Sequence, residues 1–112
     1  MNVTLLRGNL SRPPEERTLP SGDRLVAFEV TVPNNGERAD SVPVVWPEAP
    51  ASVLELDVGD EIVAVGKVRR RFFRAGGSTQ SRTEVVADAV ARAGDGRRVR
   101  RLVDQALAAA SP

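Results

Sequence analysis

The chain has 112 residues, of which 41% are hydrophobic and 28% are charged, as expected for one small folded domain. It contains no cysteine and no histidine, which excludes disulfides, thiolate and imidazole metal ligands, and the commonest general base of enzymes. No apolar run reaches the length of about 18 residues that a transmembrane helix needs, and the N-terminus lacks a signal pattern. The sequence therefore predicts a cytoplasmic, non-enzymatic protein without a membrane partner or a cofactor.

The charges are segregated along the chain, although the net charge is only +1. Between Ser41 and Glu61 there are five acids and no base, and between Ile62 and Thr83 there are six bases and no acid. A second basic group near the C-terminus consists of Arg97, Arg98, Arg100 and Arg101. Such segregation creates a positive region on a nearly neutral protein, and a positive region can attract a polyanion.

Two strands are predicted in the first third of the chain. The first is Val3–Leu10, which ends at the prolines of Ser11–Pro14. A typical turn follows at Leu19–Asp23. The second strand, Arg24–Val32, has the clearest pattern, because its apolar side chains recur at every second position and so share one face. We expect this face to lie in the core, and its residues are Val26, Phe28, Val30 and Val32.

Three further strands are predicted, at Ser41–Trp46, Asp60–Arg74 and Thr79–Ala91. Between the third and fourth strands a short helix is predicted at Ala51–Leu56, since a proline precedes it and Gly59 follows it. Five strands with a helix in this place have the order of an OB-fold, a small Greek-key barrel that binds oligonucleotides. A generic five-stranded barrel is the alternative, because other small all-β folds share the strand count.

The C-terminal segment is predicted to be a helix that follows a break at Gly94–Gly96. Its apolar residues recur at helical spacing, and they are Val99, Leu102, Val103, Ala106 and Leu107. The apolar stripe of an amphipathic helix must pack against another apolar surface. We expect a second copy of the chain to provide it, with the helix's own barrel or another protein as alternatives. The sequence thus divides into an OB-fold domain at 1–92 and a hinge with an amphipathic helix at 93–112.

The most basic stretch lies in the predicted fourth strand, between Gly66 and Arg74. It carries five positive charges and two adjacent aromatics without an acid. Because side chains alternate between faces in a strand, one face is predicted to hold Lys67, Arg69, Arg71 and Phe73. Guanidinium groups that meet phosphates and a ring that stacks on a base suit single-stranded nucleic acid. A solvated strand kept soluble by its arginines is the alternative.

Several short motifs resemble, in order and spacing, those of the bacterial single-stranded DNA-binding protein family. They are Leu6–Leu10 with Pro14–Glu15, Pro20–Gly22, Val26–Phe28, Val68–Phe73 and Thr83–Asp88, so the similarity covers about residues 2–88. The resemblance implies an OB-fold that binds single-stranded DNA in replication, recombination or repair, with RNA as the alternative ligand. It also implies a homo-oligomer, either a tetramer or a dimer, with no metal and no small-molecule substrate.

The resemblance further implies which side chains contact DNA. Phe73 stands at the position of a stacking tryptophan of the family, Arg69 and Arg71 at phosphate-contacting positions, and Trp46 near an aromatic that ends the third strand. With the basic residues beside them, the expected DNA-binding residues are Trp46, Lys67, Arg69, Arg71, Phe73, Arg74 and Arg82. For Trp46 and Phe72 a position in the core is the alternative.

The chain also departs from the family pattern. Asp40–Val42 replaces an aromatic and basic group in the third strand, and the family's disordered tail with an acidic tip is not present in this sequence. Arg7 replaces an apolar residue in the strand that pairs subunits in the family. The resemblance therefore implies a short, diverged paralogue, comparable with primosomal replication protein N. The alternative function is an OB-fold protein-interaction module with weak or lost DNA binding.

Overall fold

Six β-strands, a 3-10 turn and an α-helix follow one another in the computed structural model, which describes residues 1–112. The strands are β1 (Thr4–Leu10), β2 (Glu15–Thr18), β3 (Arg24–Asn34), β4 (Glu37–Pro47), β5 (Glu61–Ala75) and β6 (Ser78–Arg92). The 3-10 turn covers Ala51–Glu55, and helix α1 covers Gly96–Ala110. With 15 residues, α1 is too short to span a lipid bilayer. The five predicted strands are confirmed as β1, β3, β4, β5 and β6.

The strands close into a barrel, because β1 pairs with β5 along most of its length and with β3 at its end. The remaining neighbours follow in the order β5, β6, β4, β3, and these pairs are antiparallel except for β4 with β6. The short strand β2 adds to the sheet beside β3. A closed five-stranded barrel with this connectivity is the OB-fold, so the predicted fold class is confirmed.

The barrel core is built from strand residues that alternate between the interior and the outside. The residues of β3 with exposed fractions of at most 4% are Val26, Phe28 and Val30, which confirms the predicted period of two and the core position of Phe28. In β5, by contrast, all five residues of Ile62–Gly66 are buried. Ala64 faces the barrel interior, whereas Val65 faces α1. This part of β5 is therefore covered on both faces.

The predicted helix at Ala51–Leu56 is wrong in type, since only a five-residue 3-10 turn forms after β4. Val53 donates its N–H to the Pro50 carbonyl, and Leu56 donates to the Val53 carbonyl, which is the bonding pattern of a 3-10 turn. The segment between Pro50 and Gly59 is too short to stabilise the costly nucleus of an α-helix. Val53 is the buried residue of the turn, and it packs against the barrel core.

β2 is a strand that the sequence pattern does not predict. All four of its residues are exposed, so it has no apolar alternation that would indicate a strand. It forms because it pairs with Arg24–Ala27 of β3. The turn at Leu19–Asp23, which the sequence does predict, joins the two strands through a hydrogen bond from the Leu19 N–H to the Asp23 carbonyl.

Helix α1 packs on the outside of its own barrel. Leu102 and Ala106 are buried against Val65 of β5 and Ala91 of β6. The expectation that a second copy of the chain covers this apolar stripe is therefore wrong, because the barrel of the same chain covers it. Leu107, at the margin of the stripe, remains 62% exposed.

Gly66 lies at an irregularity in the β5–β6 pairing. One residue of β6, Asp88, has no partner between the pairs made by Val65 and Gly66, which is the arrangement of a β-bulge. A Cβ atom on Gly66 would lie 1.9 Å from the Val86 carbonyl oxygen. The two strands can approach this closely only because the residue is glycine.

Replacing Gly66 with alanine should destabilise the fold, because the added methyl group meets main-chain atoms of β6. Overpacking of a core typically costs about 1–3 kcal/mol, and we expect Gly66→Ala to lie at or above the upper end of that range. Urea unfolding followed by circular dichroism measures the loss. Gly94→Ala is the matched control, since a Cβ atom there meets nothing within 4 Å. Equal unfolding midpoints for the two variants would contradict the close approach.

Candidate nucleic-acid interface

β5 and β6 continue beyond the barrel as a long antiparallel hairpin. Their pairing runs without a further irregularity from Gly66 opposite Ala87 to Ala75 opposite Ser78. Gly76 and Gly77 form the tip with positive φ angles of 58° and 81°. Because residues opposite one another in an antiparallel pair share a face, the register assigns each hairpin side chain to one of two faces.

The outer hairpin face carries Lys67, Arg69, Arg71 and Phe73 from β5, together with Arg82 and Glu84 from β6. It continues the outside of the barrel, because Val85, the neighbour of Glu84, points into the core instead. The prediction that the four β5 residues share one face is therefore confirmed. Their contact with DNA remains a prediction.

Glu84 lies beneath two of the expected phosphate contacts. Its side chain is only 3% exposed, and its carboxylate accepts a hydrogen bond from Arg69 Nη2 at 2.6 Å. Arg71 Nε lies 3.7 Å from the other carboxylate oxygen. A buried carboxylate is tolerated only when it is paired and hydrogen-bonded. Both arginines are thus held near Glu84, and it neutralises part of their charge.

Sequence reasoning misses Glu84 because 15 positions separate it from Arg69. The signal that could have found it is the register of the hairpin. A turn at Gly76–Gly77, taken as the centre of the hairpin, places Glu84 opposite Arg69.

Phe73 shares the outer hairpin face with a guanidinium group that covers part of its ring. The ring is half-buried, and the guanidinium carbon of Arg71 lies 5.2 Å from its centroid, which is a cation–π distance. A base that stacks on Phe73 must therefore use the other side of the ring or displace Arg71.

The inner hairpin face carries Val68, Arg70, Phe72 and Arg74 from β5. The side chain of Phe72 is 68% exposed, so the alternative of a core position is wrong for this ring. Neither Arg70 nor Arg74 belongs to any of the ion pairs of the structure. Arg74 donates a hydrogen bond to the Gly77 carbonyl at 3.2 Å. The inner face therefore combines an open aromatic ring with cations that no acid neutralises.

Other predicted cations are also unpaired. Lys67 and Arg82 lie on the outer hairpin face without an acid within ion-pair distance. The same holds for the basic residues at the start of α1, which are Arg97, Arg98, Arg100 and Arg101. All of these side chains are available to an anion.

Trp46 lies away from the hairpin, at the end of β4. One part of the ring packs against the barrel core, and the remainder lines a cleft of about 260 Å³ to which α1 contributes Arg98. The parallel pairing of β4 with β6 directs Trp46 toward the Arg92 end of β6, whereas the hairpin tip lies at the opposite end of that strand. The structure therefore does not bring Trp46 and Phe73 together.

The free edge of β1 is a further feature of the surface. From Thr4 to Gly8 this strand pairs only with β5, which leaves its other edge open to another strand. Arg7 of β1 forms an ion pair of 2.9 Å with Glu61 of β5. The hydrogen bond from Arg7 lowers the pKa of the Glu61 carboxyl, which favours its charged form.

Comparison with known proteins gives matches over the barrel. A sequence model described as the single-strand binding protein family matches residues 1–93. A single-stranded DNA-binding protein of Deinococcus radiodurans is 30% identical over 100 residues, which cover 80% of this chain and 33% of that protein. A crystal structure of a deletion mutant of the single-stranded DNA binding protein from Thermus aquaticus has a TM-score of 0.67 and 26% identity, over 82% of this chain and 40% of that chain.

The closed five-stranded barrel places the chain in the class of OB-fold domains, whose members include many oligonucleotide binders. Within that class the chain belongs to the single-strand binding protein family, because the family model matches most of its length. It spans about a third of the length of the curated relative that it matches. The family resemblance that the motifs carry is thereby confirmed.

Titration with oligo(dT) tests whether Trp46 belongs to the interface. If a base stacks on the part of the ring that faces the cleft, tryptophan fluorescence should be quenched as binding saturates. The signal is unambiguous because Trp46 is the single tryptophan of the chain. Fluorescence anisotropy of a dye-labelled oligo(dT) reports binding independently. Saturation by anisotropy with unchanged tryptophan emission would remove Trp46 from the site.

Proposed function

We propose that the protein binds single-stranded DNA without sequence preference and acts in DNA replication, recombination or repair. The observation that carries this proposal is the β5–β6 hairpin, where unpaired cations lie beside an exposed aromatic ring. Membership of the single-strand binding protein family supports it, as does the name of the similar protein from Deinococcus radiodurans. RNA is the alternative ligand, because a stacking ring and a cation bind either backbone.

The proposed mechanism is stoichiometric binding. Lysine and arginine side chains of the hairpin contact phosphates and release counterions, while Phe73 and Trp46 stack on bases. Arg69 and Arg71 can take part although they contact Glu84, since a guanidinium group has five N–H donors. The phosphate contacts are proposed for Lys67, Arg69, Arg71, Arg74 and Arg82. No covalent step, metal or small-molecule substrate is needed, and we infer action in the cytoplasm.

The alternative function, a protein-interaction module with weak or lost DNA binding, has less support from the structure than from the sequence. Protein partners would bind the acidic segment Ser41–Glu61 and the apolar stripe of α1. Leu102 and Ala106 of that stripe are buried on the barrel, so they are not open to a partner. The acidic segment Ser41–Glu61 remains the feature that favours it. A chain that fails to bind oligo(dT) at low salt would favour this alternative.

Removing two arginines of the outer hairpin face should change the salt dependence of binding. Each phosphate contact on a single strand contributes about 0.7 to the slope of log affinity against log salt. Arg69→Ala combined with Arg71→Ala should therefore weaken oligo(dT) binding and flatten the slope by about 1.4. Anisotropy titrations at several salt concentrations measure both quantities.

A matched control for this pair removes Arg12 and Arg17, which are also exposed and also paired with acids. These residues lie in and near β2, away from the hairpin, so their removal should flatten the slope by less than removal of the hairpin pair. If the hairpin variant loses affinity while its slope stays at the wild-type value, the loss reflects structural damage around the buried Glu84 rather than lost phosphate contacts.

We also propose that the chain forms a homo-oligomer, either a dimer or a tetramer, through the free edge of β1. Light scattering should then give the mass of two or four chains of 12.0 kDa. The measurement is made across a dilution series, because assembly depends on concentration. The mass of a single chain throughout the series would contradict the proposal.

A further inference from the structure

The two faces of the β5–β6 hairpin differ in how many of their cations and aromatic rings already contact other side chains of the protein. On the outer hairpin face, Arg69 and Arg71 both contact the carboxylate of Glu84, and Arg71 also lies over the ring of Phe73. The inner hairpin face carries no acid, because all of its residues lie within Ile62–Thr83, where the chain has neither aspartate nor glutamate. The inner face is therefore the one whose ring and charges are free for a ligand.

Phe72 is the centre of this free surface. Its ring is 68% exposed, although it lies within a β-strand and has two strand neighbours on its own face. The residues on either side of it along that face are Arg70 and Arg74, and Ser81 lies opposite it on β6. A single exposed apolar side chain is common on a protein surface, and it is the charges around this ring that favour a ligand.

The positive charges on either side of Phe72 indicate what kind of molecule can bind there. Alternate residues of a strand are about 6.8 Å apart, so Arg70 and Arg74 reach out on either side of whatever stacks on Phe72. A flat ring between two cations, with no acid nearby, suits a base whose neighbouring phosphates are negative. An apolar protein partner would leave both guanidinium groups without a counter-charge.

We propose that Phe72 is the main base-stacking residue of the hairpin, with Arg70 and Arg74 holding the phosphates on either side of the stacked base. This inference rests on the proposed binding of single-stranded DNA and extends it to Phe72 and Arg70, which lie outside the expected site. Phe73 takes a smaller part, because Arg71 covers one side of its ring. The main stacking surface therefore lies on the inner hairpin face.

Two single substitutions separate the faces. Phe72→Ala should raise the Kd for oligo(dT) by about 5- to 150-fold, the range for loss of one stacking platform, whereas Phe73→Ala should raise it by less. Phe72→Trp should restore tight binding, because the aromatic ring is retained. Leu107→Ala is the control for removing an exposed apolar side chain, since Leu107 is 62% exposed on α1, and its Kd should equal that of the wild type.

The results distinguish this inference from the function on which it rests. If the wild-type chain does not bind oligo(dT), the proposed function and this inference both fail. If the wild type binds and Phe72→Ala binds equally well, or if Phe73→Ala loses more affinity than Phe72→Ala, only this inference is overturned. A lower oligomer mass for Phe72→Ala with unchanged DNA affinity would also overturn it, and would assign the ring to a contact between copies of the chain.

Discussion

The antiparallel pairing of β5 with β6 is the interaction on which the rest of the structure depends. It forms one wall of the barrel, and its outer side is the surface on which α1 packs through Leu102 and Ala106. Beyond the barrel the same pairing produces the hairpin. The bulge at Asp88 and the close approach at Gly66 keep the core residues of both strands on the interior face despite the extra residue. A larger residue at that position would push the two strands apart where the barrel passes into the hairpin.

Glu84 introduces a conflict between stability and binding. If the outer hairpin face binds DNA as proposed, the negative charge of Glu84 weakens the attraction of the polyanion at long range. The same carboxylate fixes the positions of Arg69 and Arg71. Fixed arginines lose less side-chain entropy when a phosphate arrives. The two hairpin faces thus differ in how ordered their cations are and in how much of the positive charge is neutralised. The outer face is ordered and partly neutralised, and the inner face is open and fully charged.

Much of the fold could be predicted from the sequence, because the alternation of side chains along the strands is a strong local pattern. The alternation in β3 indicated a core face, and the alternation in β5 placed its cations and Phe73 on one side. The parts that could not be predicted depend on contacts between distant residues. β2 has no apolar residue and exists only through its pairing with β3. Which surface packs against the apolar stripe of α1 depends on how the chain turns after β6. For two adjacent aromatics, strand geometry shows only that they face opposite ways, and the surroundings decide which ring is exposed.

The order of residues along β5 separates folding from binding. Ile62–Gly66 is buried on both faces and belongs to the core, whereas the following residues up to Ala75 are mostly exposed and contribute little apolar burial. Changes at Phe72 or Arg70 should therefore remove the proposed ligand contacts with little effect on the barrel, because neither side chain packs in the core. Glu84 is the exception, since it is buried and also holds two hairpin arginines. At this one residue the stability of the sheet and the charge of the interface cannot be altered independently.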